Sequence, residues 1–165
     1  MTFQKNAQQY ILIDDDVLSN RISTFIIKSV DKGSQVTDFT DGLMALEYIR
    51  SNNDKMMGCP PTIVLLDINM PKLNGWDFLE KFGMLSDTVK SKFKIFVSSA
   101  SLDAKDKAQA ESNTIVSWYF VKPLTQNMIY GILTELSSFT IIPALNQTAD
   151  FAEANSALEH PKLVL

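Results

Sequence analysis

The stretch from Thr62 to Gly75, Thr-Ile-Val-Leu-Leu-Asp-Ile-Asn-Met-Pro-Lys-Leu-Asn-Gly, constrains the fold more than any other. Ile63 to Leu66 is an unbroken apolar and β-branched run, the pattern of a strand buried on both faces, and it stops at a carboxylate, Asp67. Met70-Pro71 ends any extended run, and the turn formers Asn74-Gly75 precede an amphipathic stretch that starts at Trp76. A strand covered on both faces belongs in a layered α/β architecture, so Asp67 is expected at the mouth of a sheet, on the rim of a loop.

The rest of the chain repeats this alternation. Tyr10 to Ile13 is a short strand that ends in Asp14, Asp15 and Asp16, followed by a helix with Leu18, Ile22, Phe25, Ile26 and Val30 on one side. Asp16 is placed as an N-cap; capping accounts for one Asp and leaves two. Gln35 to Phe39 is a second strand, and Thr40-Asp41 caps a helix carrying Leu43, Leu46, Tyr48 and Ile49. A third helix spans Trp76 to Leu85, with Trp76, Leu79, Phe82 and Met84 toward the core. Phe93 to Val97 is the fourth strand, ending at Ser98-Ser99-Ala100. Leu102 to Ser112 is helical with almost no large apolar residue, so it is lightly held and easily moved. Ile115 to Val121 is the fifth strand, closed by Lys122-Pro123, and Leu124 to Leu136 is the last helix. Five strands alternating with five helices predict a flavodoxin-like, doubly wound parallel sheet of order 2-1-3-4-5, whose ligands bind beyond the strands' carboxyl ends.

Those ends carry Asp14, Asp15 and Asp67. Two unit charges about 4 Å apart repel by roughly 4 kcal/mol at an effective dielectric of 20, so three converging carboxylates need neutralising. With no His or Cys near, an all-oxygen site suits a hard cation, most naturally Mg²⁺. Lys122 adds an ammonium and Ser99 a hydroxyl, which completes a phosphoryl-transfer constellation. By themselves, Tyr119 between Trp118 and Phe120 reads as core, Lys122 as a surface lysine and Ser99 as a turn serine. Only their shared register with the aspartates links them to the site.

In these residues the chain resembles the receiver domains of two-component response regulators. The carriers are Ile-Leu-Ile-Asp-Asp-Asp at 11 to 16, Leu-Leu-Asp-Ile-Asn-Met-Pro at 65 to 71 with Asn74-Gly75, Ser99-Ala100, and Tyr119 with Lys122-Pro123. The resemblance implies a receiver domain over residues 1–138, with Asp67 as phosphoacceptor from a sensor histidine kinase or histidine phosphotransfer protein. It further implies Asp15 as direct Mg²⁺ ligand, Asp14 as its water-mediated companion, and the Asn69 carbonyl beside Asp67 at the metal. Ser99 becomes the switch hydroxyl, Tyr119 the switch aromatic, and Lys122 the phosphoryl-binding lysine, joined to Pro123 by a cis bond. Asn69 and Ser101 stand where relatives tune loss of the phosphoryl group.

Residues 139–165 fall outside this resemblance. They are too few for a typical output domain, so a stand-alone receiver acting on another protein is expected, with a tail that is disordered or forms a short helix using Phe151, Ala154 and Leu158. His160 is read as a tail residue and Cys59 as incidental. The net charge of −4 argues against nucleic acid as a partner. No segment is long and apolar enough for a membrane span, and the cytoplasm is the default location. A rival from another class is a haloacid-dehalogenase-type phosphatase, with Asp14 of Asp14-x-Asp16 as nucleophile, although Gln126-Asn127 lacks the acidic pair that family places after its lysine. A third reading is a binding module that is never phosphorylated. The receiver reading makes the chain a signalling protein rather than an enzyme, either relaying phosphate or binding a target when phosphorylated.

Overall fold

A computed structural model describes residues 7–52 and 60–139. Cys59 and the tail features at Phe151, Ala154, Leu158 and His160 lie outside the described residues. Five strands, β1 (Gln9–Ile13), β2 (Gln35–Phe39), β3 (Thr62–Leu66), β4 (Phe93–Ser99) and β5 (Val116–Val121), form one sheet of order β2-β1-β3-β4-β5. Every pairing is parallel. Among the described residues the helices are α1 (Val17–Val30), α2 (Gly42–Asn52), α3 (Gly75–Gly83), α4 (Asp87–Lys90), α5 (Ala104–Ser112) and α6 (Gln126–Phe139). The single turn α4 is the addition to the five helices expected. The chain divides into two compact units, residues 1–126 and 127–165, and the whole sheet lies in the first.

β3 is buried at every position because strands flank it on both sides and helices cover the sheet. Its pleat sends Val64 and Leu66 with Ile11 and Ile13 into one cluster with Ala45, Leu46 and Ile49 of α2 and Phe78, Leu79 and Phe82 of α3. Burying each such side chain stabilises the fold by about 1.5–3 kcal/mol, so this layer is the firm foundation of the site.

Three helix faces differ from expectation. In α1 the stripe Leu18, Ile22 and Phe25 is 63%, 47% and 75% exposed, while Asn20 and Ile27 face inward. Asn20 wins the inward face because its side-chain amide donates to the backbone carbonyl of Asp14 at 2.9 Å and to that of Phe39 at 3.4 Å. An unsatisfied buried carbonyl costs about 1–3 kcal/mol, comparable with what burying one aliphatic side chain contributes. In α3 the inward residues are Phe78, Leu79 and Phe82, with Trp76 partly buried, and Met84 lies exposed beyond the helix end. Leu43, at the start of α2, is also exposed, whereas Leu46 and Ile49 are buried.

Candidate functional site

Register assembles the site. Ile13 pairs with Leu66, so the next residues, Asp14 and Asp67, leave the sheet side by side, and the Asp67 N–H donates to the Ile13 carbonyl at 2.8 Å. Ser99 pairs with Val121, which brings Lys122 to the same edge, where its N–H donates to the Ser99 carbonyl at 2.9 Å. The Lys122-Pro123 bond is cis, as expected.

The turn after β3 holds Asp67 in place. Gly75 lies so close to this segment that a Cβ there would stand 2.6 Å from the Asp67 carbonyl oxygen and 2.6 Å from Ile68 Cα, so only glycine fits. Asn74 then caps α3: its Oδ1 accepts the Asp77 N–H at 2.9 Å, and its Nδ2 donates to the Asp77 carboxylate at 2.8 Å. Asp67 is buried, and its Oδ1 accepts the Asn69 N–H at 3.0 Å.

Lys122 spans the two buried aspartates, donating from Nζ to Asp14 Oδ2 at 2.5 Å and to Asp67 Oδ2 at 2.6 Å. Burial alone would lower the pKa of this ammonium; the hydrogen bonds and charges of Asp14 and Asp67 outweigh it, and the net shift is upward. Asp14 also accepts the Asp16 N–H at 3.0 Å and the Ser19 hydroxyl. Asp15 is exposed beside them, and oxygens of Asp14, Asp15 and Asp67 all lie within 4.8 Å of one another. Three carboxylate oxygens this close, with one ammonium against them, leave a net negative oxygen cluster that fits a hard divalent cation.

Ser99 is fully buried at the end of β4. Its Oγ accepts the Asn69 side-chain amide at 3.0 Å and the Ser101 N–H at 3.1 Å. The Tyr119 ring packs inward with Ile68, Val97 and Ala110, and its hydroxyl donates to the Ser101 carbonyl at 2.7 Å. All the residues expected at the site, Asp14, Asp15, Asp67, Asn69, Ser99, Tyr119 and Lys122, thus converge on the carboxyl edge of the sheet or join it through hydrogen bonds. Ser19 and Asn20, which fix Asp14 from α1, were not anticipated; their place three and four residues after the acidic triplet's end is the only signal in the sequence. Asp16, the second acid of the phosphatase motif, caps α1 by accepting the Leu18 N–H at 2.8 Å, and the phosphatase reading draws no support from it.

The family model for the response regulator receiver domain matches residues 10–134. Among solved structures, a two-component response regulator from Cytophaga hutchinsonii is similar at 31% identity and a TM-score of 0.72, covering 80% of this chain and 98% of that one. A response regulator receiver protein from Dyadobacter fermentans is similar at 28% identity and a TM-score of 0.70, covering 79% and 98%. Among curated proteins, a protein-glutamate methylesterase/protein-glutamine glutaminase of Escherichia coli is 36% identical over 69 residues, 42% of this chain. The chain covers only 18% of that relative's length.

Proposed function

The chain belongs to the response regulator receiver family, and from that premise we propose that Asp67 accepts a phosphoryl group from a phosphohistidine of a sensor kinase or phosphotransfer protein. The observation that carries this reading is the Lys122 ammonium bridging Asp14 and Asp67, with Asp15 beside them, at the strand ends. An Asp67 carboxylate oxygen attacks phosphorus, the phosphorus–nitrogen bond to the imidazole breaks, and the released imidazole nitrogen takes up a proton. Asp14, Asp15, Asp67 and the Asn69 carbonyl would hold Mg²⁺, which when bound offsets the charge of the carboxylates and of the phosphoryl oxygens.

Lys122 already contacts Asp67 and is placed to follow the new charge onto a phosphoryl oxygen. Phosphorylation leaves a group of about −1.5 to −2 with three acceptor oxygens. The Ser99 hydroxyl donates to one of them, which changes its bonds to Asn69 and Ser101 and, through the Ser101 carbonyl, the setting of Tyr119. That differential binding biases an equilibrium between loop states, and a swing from 1:99 to 99:1 takes about 5.5 kcal/mol.

The phosphohistidine partner approaches over the exposed apolar stripe of α1, Leu18, Ile22 and Phe25, which begins next to the acidic loop. In this reading the chain is a signalling module of the cytoplasm with a protein, not nucleic acid, as its target. Among the described residues no helix is long and apolar enough to cross a membrane. Intact mass after incubation with Mg²⁺ and acetyl phosphate tests the reading. A labile, Mg²⁺-dependent phosphoryl adduct is expected on the wild type and absent from Asp67→Asn. An adduct that survives in Asp67→Asn and disappears in Asp14→Asn, with steady phosphate release, would replace the reading with the phosphatase.

A further inference from the structure

Ser101 ties three parts of the molecule together through all of its polar atoms. Its N–H donates to Ser99 Oγ at 3.1 Å, and its carbonyl accepts the Tyr119 hydroxyl at 2.7 Å. Its hydroxyl donates to Asp106 Oδ2 at 2.5 Å, and its Oγ accepts the Asp103 N–H at 3.2 Å. Asp106 lies in the first turn of α5, a helix whose one buried residue is Ala110. With so little apolar area holding α5, a hydrogen bond worth about 0.5–1.5 kcal/mol, or more when charged, is a large share of what fixes its start against β4. The Tyr119 phenol pKa is pushed up first by burial and then by the Asp106 charge, as their closeness requires.

We propose that Asp106 is a positioning residue for the site: by holding the Ser101 hydroxyl, its carboxylate fixes the Ser101 peptide, and that peptide sets both Ser99 Oγ and the Tyr119 ring. The geometry stands on its own, whereas its consequence for the lifetime of the phosphoryl group rests on Asp67 being the phosphoacceptor. When Ser99 turns to a phosphoryl oxygen, the Ser101 N–H loses its acceptor, and Asp106 decides whether the loop returns. In setting the Ser101 peptide Asp106 and Ser101 therefore act as one unit, and removing either frees it; Ser101→Ala gives up the Asp103 N–H bond as well.

The test uses the full chain with Asp106→Ala, Asp106→Asn, Ser101→Ala and the double variant Asp106→Ala/Ser101→Ala. In the ligand-free protein, Asp106→Ala and Ser101→Ala should shift the same Ser99 amide and Tyr119 ring resonances, and the double variant should shift them no further. Asp106→Asn, which keeps an oxygen acceptor, should stay near wild type. In acetyl phosphate-treated protein the adduct lifetime should change by about two- to tenfold in both single variants, as expected for one hydrogen bond. Mg²⁺ affinity should remain as in the wild type. Ser101→Ala leaves the carboxylate at the start of α5, so a mere effect of charge on the helix end would appear in Asp106→Ala and not in Ser101→Ala. That outcome, additive shifts, or unmoved Ser99 and Tyr119 resonances in Asp106→Ala would overturn the proposal. A wild type that forms no adduct would remove the phosphoacceptor reading instead, and the ligand-free resonances would still decide the role of Asp106.

Discussion

α3 and α5 both begin one loop away from the site, yet they are held in different ways. α3 starts after the turn that leaves Asp67 and buries Phe78, Leu79 and Phe82. Its rings interlock: Phe78 stacks on Phe82 at 6.2 Å, and Phe82 meets Phe93 edge-on at 5.8 Å. α5 starts after the loop that leaves Ser99, buries only Ala110, and is tied to that loop where the Ser101 hydroxyl donates to Asp106 and accepts the Asp103 N–H, with Asp103 capping the helix by accepting the Lys105 N–H. Three buried side chains at about 1.5–3 kcal/mol each outweigh a few hydrogen bonds at about 1 kcal/mol each. Asp67 therefore stands on a fixed wall and Ser99 beside a movable one, the division that the proposed phosphoryl switch calls for.

Substitutions on the two sides should separate most at the largest effects. Phe82→Ala opens a cavity between α3 and β4 and should lower unfolding free energy by about 3–5 kcal/mol in a urea titration. A loss below 1 kcal/mol would remove the distinction between the walls. Gly75→Ala forces a methyl against the Asp67 carbonyl, so it should cost about 1–3 kcal/mol and displace Asp67 enough to reduce acetyl phosphate labelling. Unchanged labelling would show that the turn is not what sets Asp67. On the α5 side, Lys107→Ala removes a solvent-exposed 3.9 Å pair with Glu111 and should change stability by less than about 0.5 kcal/mol.

The movable side also has a pH signature. Burial, and after it the Asp106 charge, raise the folded-state pKa of Tyr119 above its ordinary value of 10.0. The folded state thus holds this proton more tightly, so its contribution is fully present below pH 10 and is lost as pH rises through the raised value. Stability of the wild type relative to Tyr119→Phe should therefore fall only above about pH 10, measured by urea titration at a series of pH values. A constant difference between them across that range would contradict the inward phenol.

Much of this contrast was legible in the sequence, because the apolar poverty of 102–112 and the acid-terminated run at 63–67 are both one-dimensional patterns. Strand order followed from the alternation of five strands with five helices, and the meeting of Asp14, Asp67, Ser99 and Lys122 from their places at strand ends. The orientation of α1 did not. Periodicity ranks apolar residues, and it placed Leu18, Ile22 and Phe25 together; the fold turned that stripe outward and Asn20 inward, where its amide bonds the Asp14 carbonyl and adds to the Asp14 N–H already bonded to the Phe39 carbonyl. The Ser101–Asp106 bond was equally hidden, since a serine and an aspartate near a helix start read as ordinary capping residues until their partners are seen. Met84 read as core only because the helix was extended past Gly83, its last residue.

Hydrogen exchange followed by mass spectrometry, with and without Mg²⁺ and beryllofluoride as a phosphoryl mimic, measures the two walls side by side. Exchange in residues 99–112 and 116–121 should change on addition of the mimic while 75–83 stays as it was. Equal changes in both regions, or a change confined to α3, would contradict the division of the site into a fixed and a movable wall.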